Sequence, residues 1–399
     1  MRKITLLMCA MAVSLALAAQ SSEPELKQLW SSTDYSWNTA NRSRDIAIWD
    51  GNIYVPDNNG ASSAIHVIDA ATGVEDAGAM ISNADFQSFC VAVDNAGHLL
   101  LPKNTGGSTS WILSKVDIAT GTVTTLNGGT TMSAYRTDYL AILGNIESTD
   151  EPAYVIGASC NNPQIQAWEL MSGDLTATAP FVWTRPVTAS GADIKWIDDT
   201  HALLTQQSNS PVILTVDFSN PANFITEYEK INLAGIAFGG GAYFELDDTP
   251  YLVFPATGLG DVGIYDISDI DNPVAIGDVT DAIGSTGNGA AHVGIEVVKE
   301  ADDKVNIYVW SPNNGGAAYE FSVSSEAGKE KISLEDTKIR VKPTASGIEI
   351  QLDAASVVEL YTVGGVLVDK TIASGTYAKA LASGVYVVRV NGQVAKFVR

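Results

Sequence analysis

The stretch Val67-Ile68-Asp69-Ala70-Ala71-Thr72-Gly73 sets an apolar pair before an acid and closes on a turn. The phrase returns as Lys115-Val116-Asp117-Ile118-Ala119-Thr120-Gly121 and as Ala167-Trp168-Glu169-Leu170-Met171-Ser172-Gly173. Thr215-Val216-Asp217-Phe218-Ser219-Asn220-Pro221, Ile264-Tyr265-Asp266-Ile267-Ser268 and Ala318-Tyr319-Glu320-Phe321-Ser322 complete the series. The acids fall at 69, 117, 169, 217, 266 and 320, in steps of 48 to 54 residues. Even spacing over six copies is the mark of a repeat architecture.

Within one period the text reads as short strands. Asp45 leads the apolar Ile46 to Trp49, Asp50-Gly51 is a turn, and Asn52 leads the apolar Ile53 to Val55. The loop Pro56 to Gly60 follows, then Ala64 to Ile68 and the turn at Thr72-Gly73. Apolar and β-branched residues alternate with Gly, Asn, Asp and Pro punctuation, and no 3.6-residue period is sustained. Four short strands per ~50 residues, repeated radially, predict a β-propeller. The sixth repeat has three strands (Gly294 to Val298, Val305 to Trp310, Ala317 to Val323) before a polar stretch. Leu26 to Trp30 stands alone before the first repeat. Pairing the two completes the sixth blade and leaves no open sheet edge.

The chain has 399 residues, 23 Lys+Arg against 46 Asp+Glu, and a net charge of −23. Such a charge repels phosphate backbones and anionic membranes, which argues against nucleic-acid partners. Arg2-Lys3, the apolar run Ile4 to Leu17 and Ala16-Leu17-Ala18 predict a signal peptide over 1–19. No later run is long enough to predict a transmembrane helix. Cys90 and Cys160 then remain, as buried thiols or as one bridge.

Composition shifts near Ile332, after a polar linker at 326–331. Residues 332–399 carry +2 and the signal segment carries +2, which leaves about −27 for the predicted propeller over 22–325. The tail reads Val357-Val358-Glu359-Leu360-Tyr361-Thr362-Val363-Gly364-Gly365 and then Leu381-Ala382-Ser383-Gly384-Val385-Tyr386-Val387-Val388-Arg389-Val390-Asn391-Gly392, ending Lys396-Phe397-Val398-Arg399. These residues predict a small antiparallel sandwich with hairpins at 364–365 and 391–392. The tail resembles the type A C-terminal sorting domain of type IX (Por) secretion substrates. Thr362 and Val366 depart from it, since that family usually has an acid after the first Tyr and a base after the Gly. The resemblance implies an Ig-like β-sandwich over 332–399 and passage through the periplasm. It also implies recognition by the type IX machinery and its sortase, with anchoring on the outer-membrane surface or release. The preceding part resembles secreted propellers of Bacteroidetes, which brings no activity with it. The expected fold class is therefore all-β, a six-bladed propeller followed by a sorting domain.

In a propeller the second-to-third-strand loops share one face, the top, with the loops between blades. The second-to-third loops are rich in Asn, Gly and Pro, as in Pro56 to Gly60 and Pro312 to Gly315. Turn chemistry explains this, and amides presented to a sugar or peptide are the alternative. All four propeller arginines, Arg42, Arg44, Arg136 and Arg185, fall between blades, with Trp37 and Tyr135 in the same class of loop. Arginine forks suit carboxylates and aromatic faces suit sugars, so these six residues are the candidate ligand site. The competing reading is that each arginine ties down its own loop. The opposite turns are acidic, at Asp50, Asp94, Asp198, Asp199, Asp247 and Asp248 among others.

Catalytic motifs are absent: there is no Gly-x-Ser-x-Gly, no His-Glu-x-x-His and no phosphate loop. His66, His98, His201 and His292 lie at different depths, and only His292 falls near the expected axis. Asp269-Ile270-Asp271-Asn272 lacks the further ligands of a calcium loop. The expectation is a monomeric surface or secreted binding protein for an extracellular glycan or protein, without catalytic residues, cofactor or metal. A polysaccharide hydrolase or lyase using acids in the channel, or an adhesive structural protein, are the alternatives.

Overall fold

The structure is a computed structural model that describes residues 24–39, 41–83, 87–105, 110–126, 137–159, 162–176, 180–186, 191–233, 238–323, 340–344, 347–362, 366–382, 385–390 and 393–398. The chain divides into two compact units, one over Glu23–Ser324 and one that includes Ser325–Arg399.

The first unit holds six antiparallel sheets, each built on four strand positions. Blade one is Ala47–Trp49, Asn52–Asp57, Ala64–Asp69 and Ile81–Ser82. Blades two to five repeat the order, opening at Ala92–Val93, Thr137–Leu143, Asp193–Trp196 and Ala242–Leu246. In blade three the fourth position is split into Asp174–Leu175 and Phe181–Thr184, both paired with Gln164–Met171. The acid phrases sit at the ends of third strands, where their chemistry is local. Asp69 Oδ1 accepts from the Thr72 N–H (2.8 Å) and hydroxyl (2.7 Å), and Gly73 closes the turn at φ +71°. Asp117 Oδ1 likewise accepts from the Thr120 N–H at 3.1 Å. The repeated aspartate is thus a turn device, also at Asp217 and Asp266, whereas Glu320 pairs with Lys304. First-to-second turns are equally tight. Asp50-Gly51 takes φ +46° and +73°, and Asp247-Asp248 +49° and +62°, the paired left-handed values of a two-residue hairpin.

Blade six is Gly294–Ala301, Lys304–Ser311 and Gly315–Ser322, and its fourth strand is Glu25–Ser32. The register runs from Glu25 opposite Ser322 to Ser32 opposite Gly316, with a bulge between Gln28 and Trp30. Six apolar clusters lie between neighbouring blades among the described residues, including one joining Tyr308 and Trp310 of blade six to Ile46, Ile53 and Val55 of blade one. Every neighbour interface therefore has its own core and the ring is closed. Trp30 locks that seam. Its indole donates to the Ala70 carbonyl at 2.8 Å and lies so close over Gly73 that a Cβ there would stand 2.5 Å from the ring.

The second unit is one curled sheet of five strands, not two packed sheets. Gly347–Thr362 is long enough to serve both halves of the curl. Its first part pairs with Arg340–Thr344 and its second with Val385–Val390, while Leu367–Ala380 follows it along most of its length. The register breaks between Leu352 and Ser356, where the strand changes neighbours. Bending one strand in this way encloses Ile348, Ile350, Leu360, Tyr377 and Val388 without a second sheet. Both predicted hairpins exist as pairings, although residues 363–365 and 391–392 lie outside the described residues.

Candidate axial binding site

The first strands of the six blades surround the centre of the ring, and burial changes in one direction along all of them. Asp45, Cys90, Asp138, Asp193 and His292, at or just before strand starts, are at most 2% exposed. Further along, Ile48, Val93, Ile142, Trp196, Tyr243 and Val298 are only half-buried. All six strands line an axial cavity of about 240 Å³. It therefore opens toward the first-to-second-strand turns, the acidic face.

Charged groups gather at the inner end. The Lys195 ammonium from blade four lies 3.4 Å from Asp45 Oδ1 of blade one and also pairs with Glu296 of blade six. One side chain thus crosses the axis and ties three blades. His292 Nδ1 donates to the Arg44 carbonyl at 2.7 Å, Nε2 faces Asp193 Oδ2 at 3.2 Å, and the ring stacks on Tyr139. Asp45 Oδ2 has no hydrogen-bond donor among the described residues. Cys90 is a buried free thiol, and Cys160 lies outside the described residues.

The electrostatics follow from burial and imbalance. Burial alone would depress the Lys195 ammonium, but Asp45, Glu296 and Asp193 outweigh it and hold it well above its ordinary value. Burial raises the Asp45 carboxyl against the pull of Lys195. At Asp193 burial is outweighed by Lys195 and His292, so its carboxyl is lowered. Glu296 is pushed up to about 7, chiefly by burial. Burial, with Asp45, Asp138 and Asp193 nearby, puts the Cys90 thiol well above its usual range, which makes it unreactive.

Glycines let the backbone close over this end. A Cβ on Gly239 would stand 1.5 Å from the Gly191 carbonyl oxygen, and one on Gly240 1.9 Å from that of Val293. Gly239 also bridges His292 in parallel register. No side chain fits where blades four, five and six approach so closely.

The arginines read from the sequence are placed as follows. Arg42 Nε lies 3.0 Å from Asp57, and its Nη2 donates to the Trp37 carbonyl at 2.7 Å. Arg44 pairs with Asp138 at 2.7 Å, its guanidinium 3.9 Å over the Phe89 ring. Arg185 donates to Gln206 Oε1 at 2.7 Å, to the Pro163 carbonyl at 3.1 Å and to the Asn162 carbonyl. Trp37 stacks between His66 and Trp310 and donates to Glu75 at 2.9 Å. The structure thus brings Trp37 and Arg42 together, sets Arg44 beside the axis, and buries Arg185 apart from them. Tyr135 and Arg136 lie outside the described residues. Each histidine has a carboxylate partner: His66 with Glu75, His98 with Asp94, His201 with Asp198 and His292 with Asp193. Asp269 is used by its own turn, accepting from the Asp271 N–H and the Asn272 amide. Among the described residues no group of three His, Cys, Asp or Glu is placed to hold a metal.

Sequence reasoning missed Asp45, Lys195, Asp193 and Glu296. A signal exists for the acids at strand starts: Asp45-Ile46-Ala47, Asp138-Tyr139-Leu140 and Asp193-Ile194-Lys195 put an acid at the same point of three repeats.

No family model and no curated protein matches the sequence. Among solved structures, a DUF4623 family protein from Bacteroides eggerthii is similar over 76% of this chain and 76% of that chain, with 14% identity and a TM-score of 0.55. The fold is β-propeller-like. The WD40 domain of Toxoplasma gondii coronin matches 76% of this chain and 87% of that one, at 9% identity and a TM-score of 0.41. At these identities the first likeness speaks to fold alone.

Proposed function

We propose that this chain is an exported, non-catalytic β-propeller binding protein that takes an extracellular ligand at its axial cavity. The observation that carries the reading is the cavity itself, lined from all six blades and open on one face. Ligand sites favour such concave places where a few polar groups converge. Arg42, Arg44 and Arg185 are engaged within the protein, so a top-face anion site would rest on Arg136 and Tyr135. A panel of soluble oligosaccharides and peptides, screened by thermal shift, tests the proposal when run beside Ala242→Leu, which narrows the cavity. Ligands that stabilise the parent by several degrees should fail on that variant. Ligands acting equally on both would move the site elsewhere.

Export is the second part of the proposal. It rests on the leader-like residues 1–19 and the tail motif that resembles a type IX sorting domain. A fusion of 332–399 to an inert exported reporter should carry it to the surface of a host with that secretion route. Retention in the periplasm would count against it.

Acid–base catalysis has one specific observation in its favour: Glu296, raised to about 7, faces Lys195 inside a cavity. Turnover in the same oligosaccharide panel, lost in Glu296→Gln, would favour that reading.

A further inference from the structure

The axial cavity joins two kinds of surface. Its wall carries the half-buried aliphatic side chains Ile48, Val93, Ile142, Val297 and Val298. Its inner end is charged, and the charges do not balance. Asp45, Asp193 and Glu296 face one ammonium, Lys195, so even a doubly protonated His292 leaves one negative charge in excess. Arg44 and Asp138 form their own pair at 2.7 Å and do not change the count. Asp45 is fully buried with one oxygen lacking a donor among the described residues, while the Glu296 side chain keeps 28% exposure. Glu296 is thus the carboxylate that a molecule entering the cavity meets.

Depth adds a size limit. Glu296 and Val298 are two strand residues apart, roughly 7 Å at ~3.3 Å per residue. That is the reach of a four- to five-carbon chain. Around the mouth, the turns carry Asp50, Asp247 and Asp248. Their field draws cations toward the opening and repels anions.

We infer that the axial cavity is a site for a primary ammonium on an unbranched aliphatic chain, the chemistry shared by a lysine side chain and a free alkylamine. The chain lies against the aliphatic wall and the ammonium sits on Glu296, supplying the cation the cluster lacks. This rests on the axial-site reading above and names its ligand class. Burial already pushes the Glu296 carboxyl up to about 7, so it holds a proton there that a cation can take the place of. Lys195, Asp45 and Asp193 are the charged groups facing Glu296, and an ammonium arriving beside them displaces that proton to solvent.

The test is calorimetry and methyl NMR on the full chain with n-pentylamine, 1-pentanol, pentanoate and a blocked lysine amide. Pentylamine should bind at least tenfold more tightly than the alcohol or the carboxylate and shift the Ile48 and Val298 methyls. Near pH 7 its binding should release a proton, read from the dependence of heat on buffer ionisation. Glu296→Gln should weaken it tenfold or more, and Ala242→Leu, which narrows the cavity, should weaken it too. If Glu296→Gln proves too unstable, the Ala242→Leu variant and the proton count still decide. The lysine amide binding as well as pentylamine marks a protein side chain as the source, whereas pentylamine alone marks a free amine. Pentanol or pentanoate binding as tightly as the amine would overturn the ammonium assignment and leave the axial site standing. Methyl shifts in none of the mixtures would overturn both.

Discussion

Lys195→Met should cost the propeller about 3–5 kcal/mol at pH 8, because it leaves buried carboxylates without their cation. For a unit of this size that is a fall in Tm on the order of 10 °C. The geometry makes the effect large. Lys195 is the ammonium shared by Asp45 of blade one and Glu296 of blade six, with Asp193 beside it on its own strand. Methionine fills much of the volume, so the loss reports charge and not a cavity. The sign with pH provides a second check. In the folded parent, Glu296 titrates near 7, against about 4.5 for the ordinary side chain. The fold holds a proton there that the unfolded chain gives up. Its stability therefore falls as pH rises from about 4.5 to about 7, and stays lower above that. Glu296→Gln should flatten this slope. Removing Lys195 raises the carboxyls further, so Lys195→Met should lose less at pH 5 than at pH 8. Calorimetric melts of the three proteins across that range decide it. A Lys195→Met variant within 1 kcal/mol of the parent at pH 8 would mean that water, not the lysine, satisfies these acids.

The second large effect belongs to the seam. A chain lacking residues 20–32 should lose cooperative melting of the propeller. The deletion strips Glu25–Ser32 from Gly315–Ser322 and exposes that strand's hydrogen-bonding edge. It also removes Leu26 from the core between blades five and six and Trp30 from the Ala70 carbonyl. Trp30→Ala alone should cost about 3 kcal/mol, the range for a large aromatic in a packed site. A truncated chain with the parent's calorimetric transition would show that the other five interfaces suffice.

Much of this architecture is legible in the sequence because it repeats. The acid-turn phrase marks the end of each third strand, and a strand missing from repeat six answers a strand left over before repeat one. The curl of the C-terminal sheet is not legible, since the tail reads as a sandwich and only the pairing of Gly347–Thr362 on both sides shows one bent strand serving both halves. The site is harder still. Lys195, Glu296 and Asp45 come from three repeats and share no spacing, and only closure of the ring brings them across the axis. The arginines were conspicuous by scarcity, yet in an acidic chain scarce cations are the ones its own carboxylates and carbonyls engage. Arg42 on Asp57 and Arg44 on Asp138 are two such cases.

Joining the first strand to the last blade also sets an order of events. Glu25 meets Ser322 only after every intervening residue is available, so this pairing has the longest loop to close and cannot lead the folding reaction. Blades one to five can assemble from hairpins between near neighbours. Blade six waits with an unpaired edge while the segment that fits it hangs free at the other end of the chain. During that interval the edge accepts a matching strand from any source, and the nearest matching strand in a concentrated solution is that of a second copy. The seam that completes one molecule is thus also the place where two can exchange.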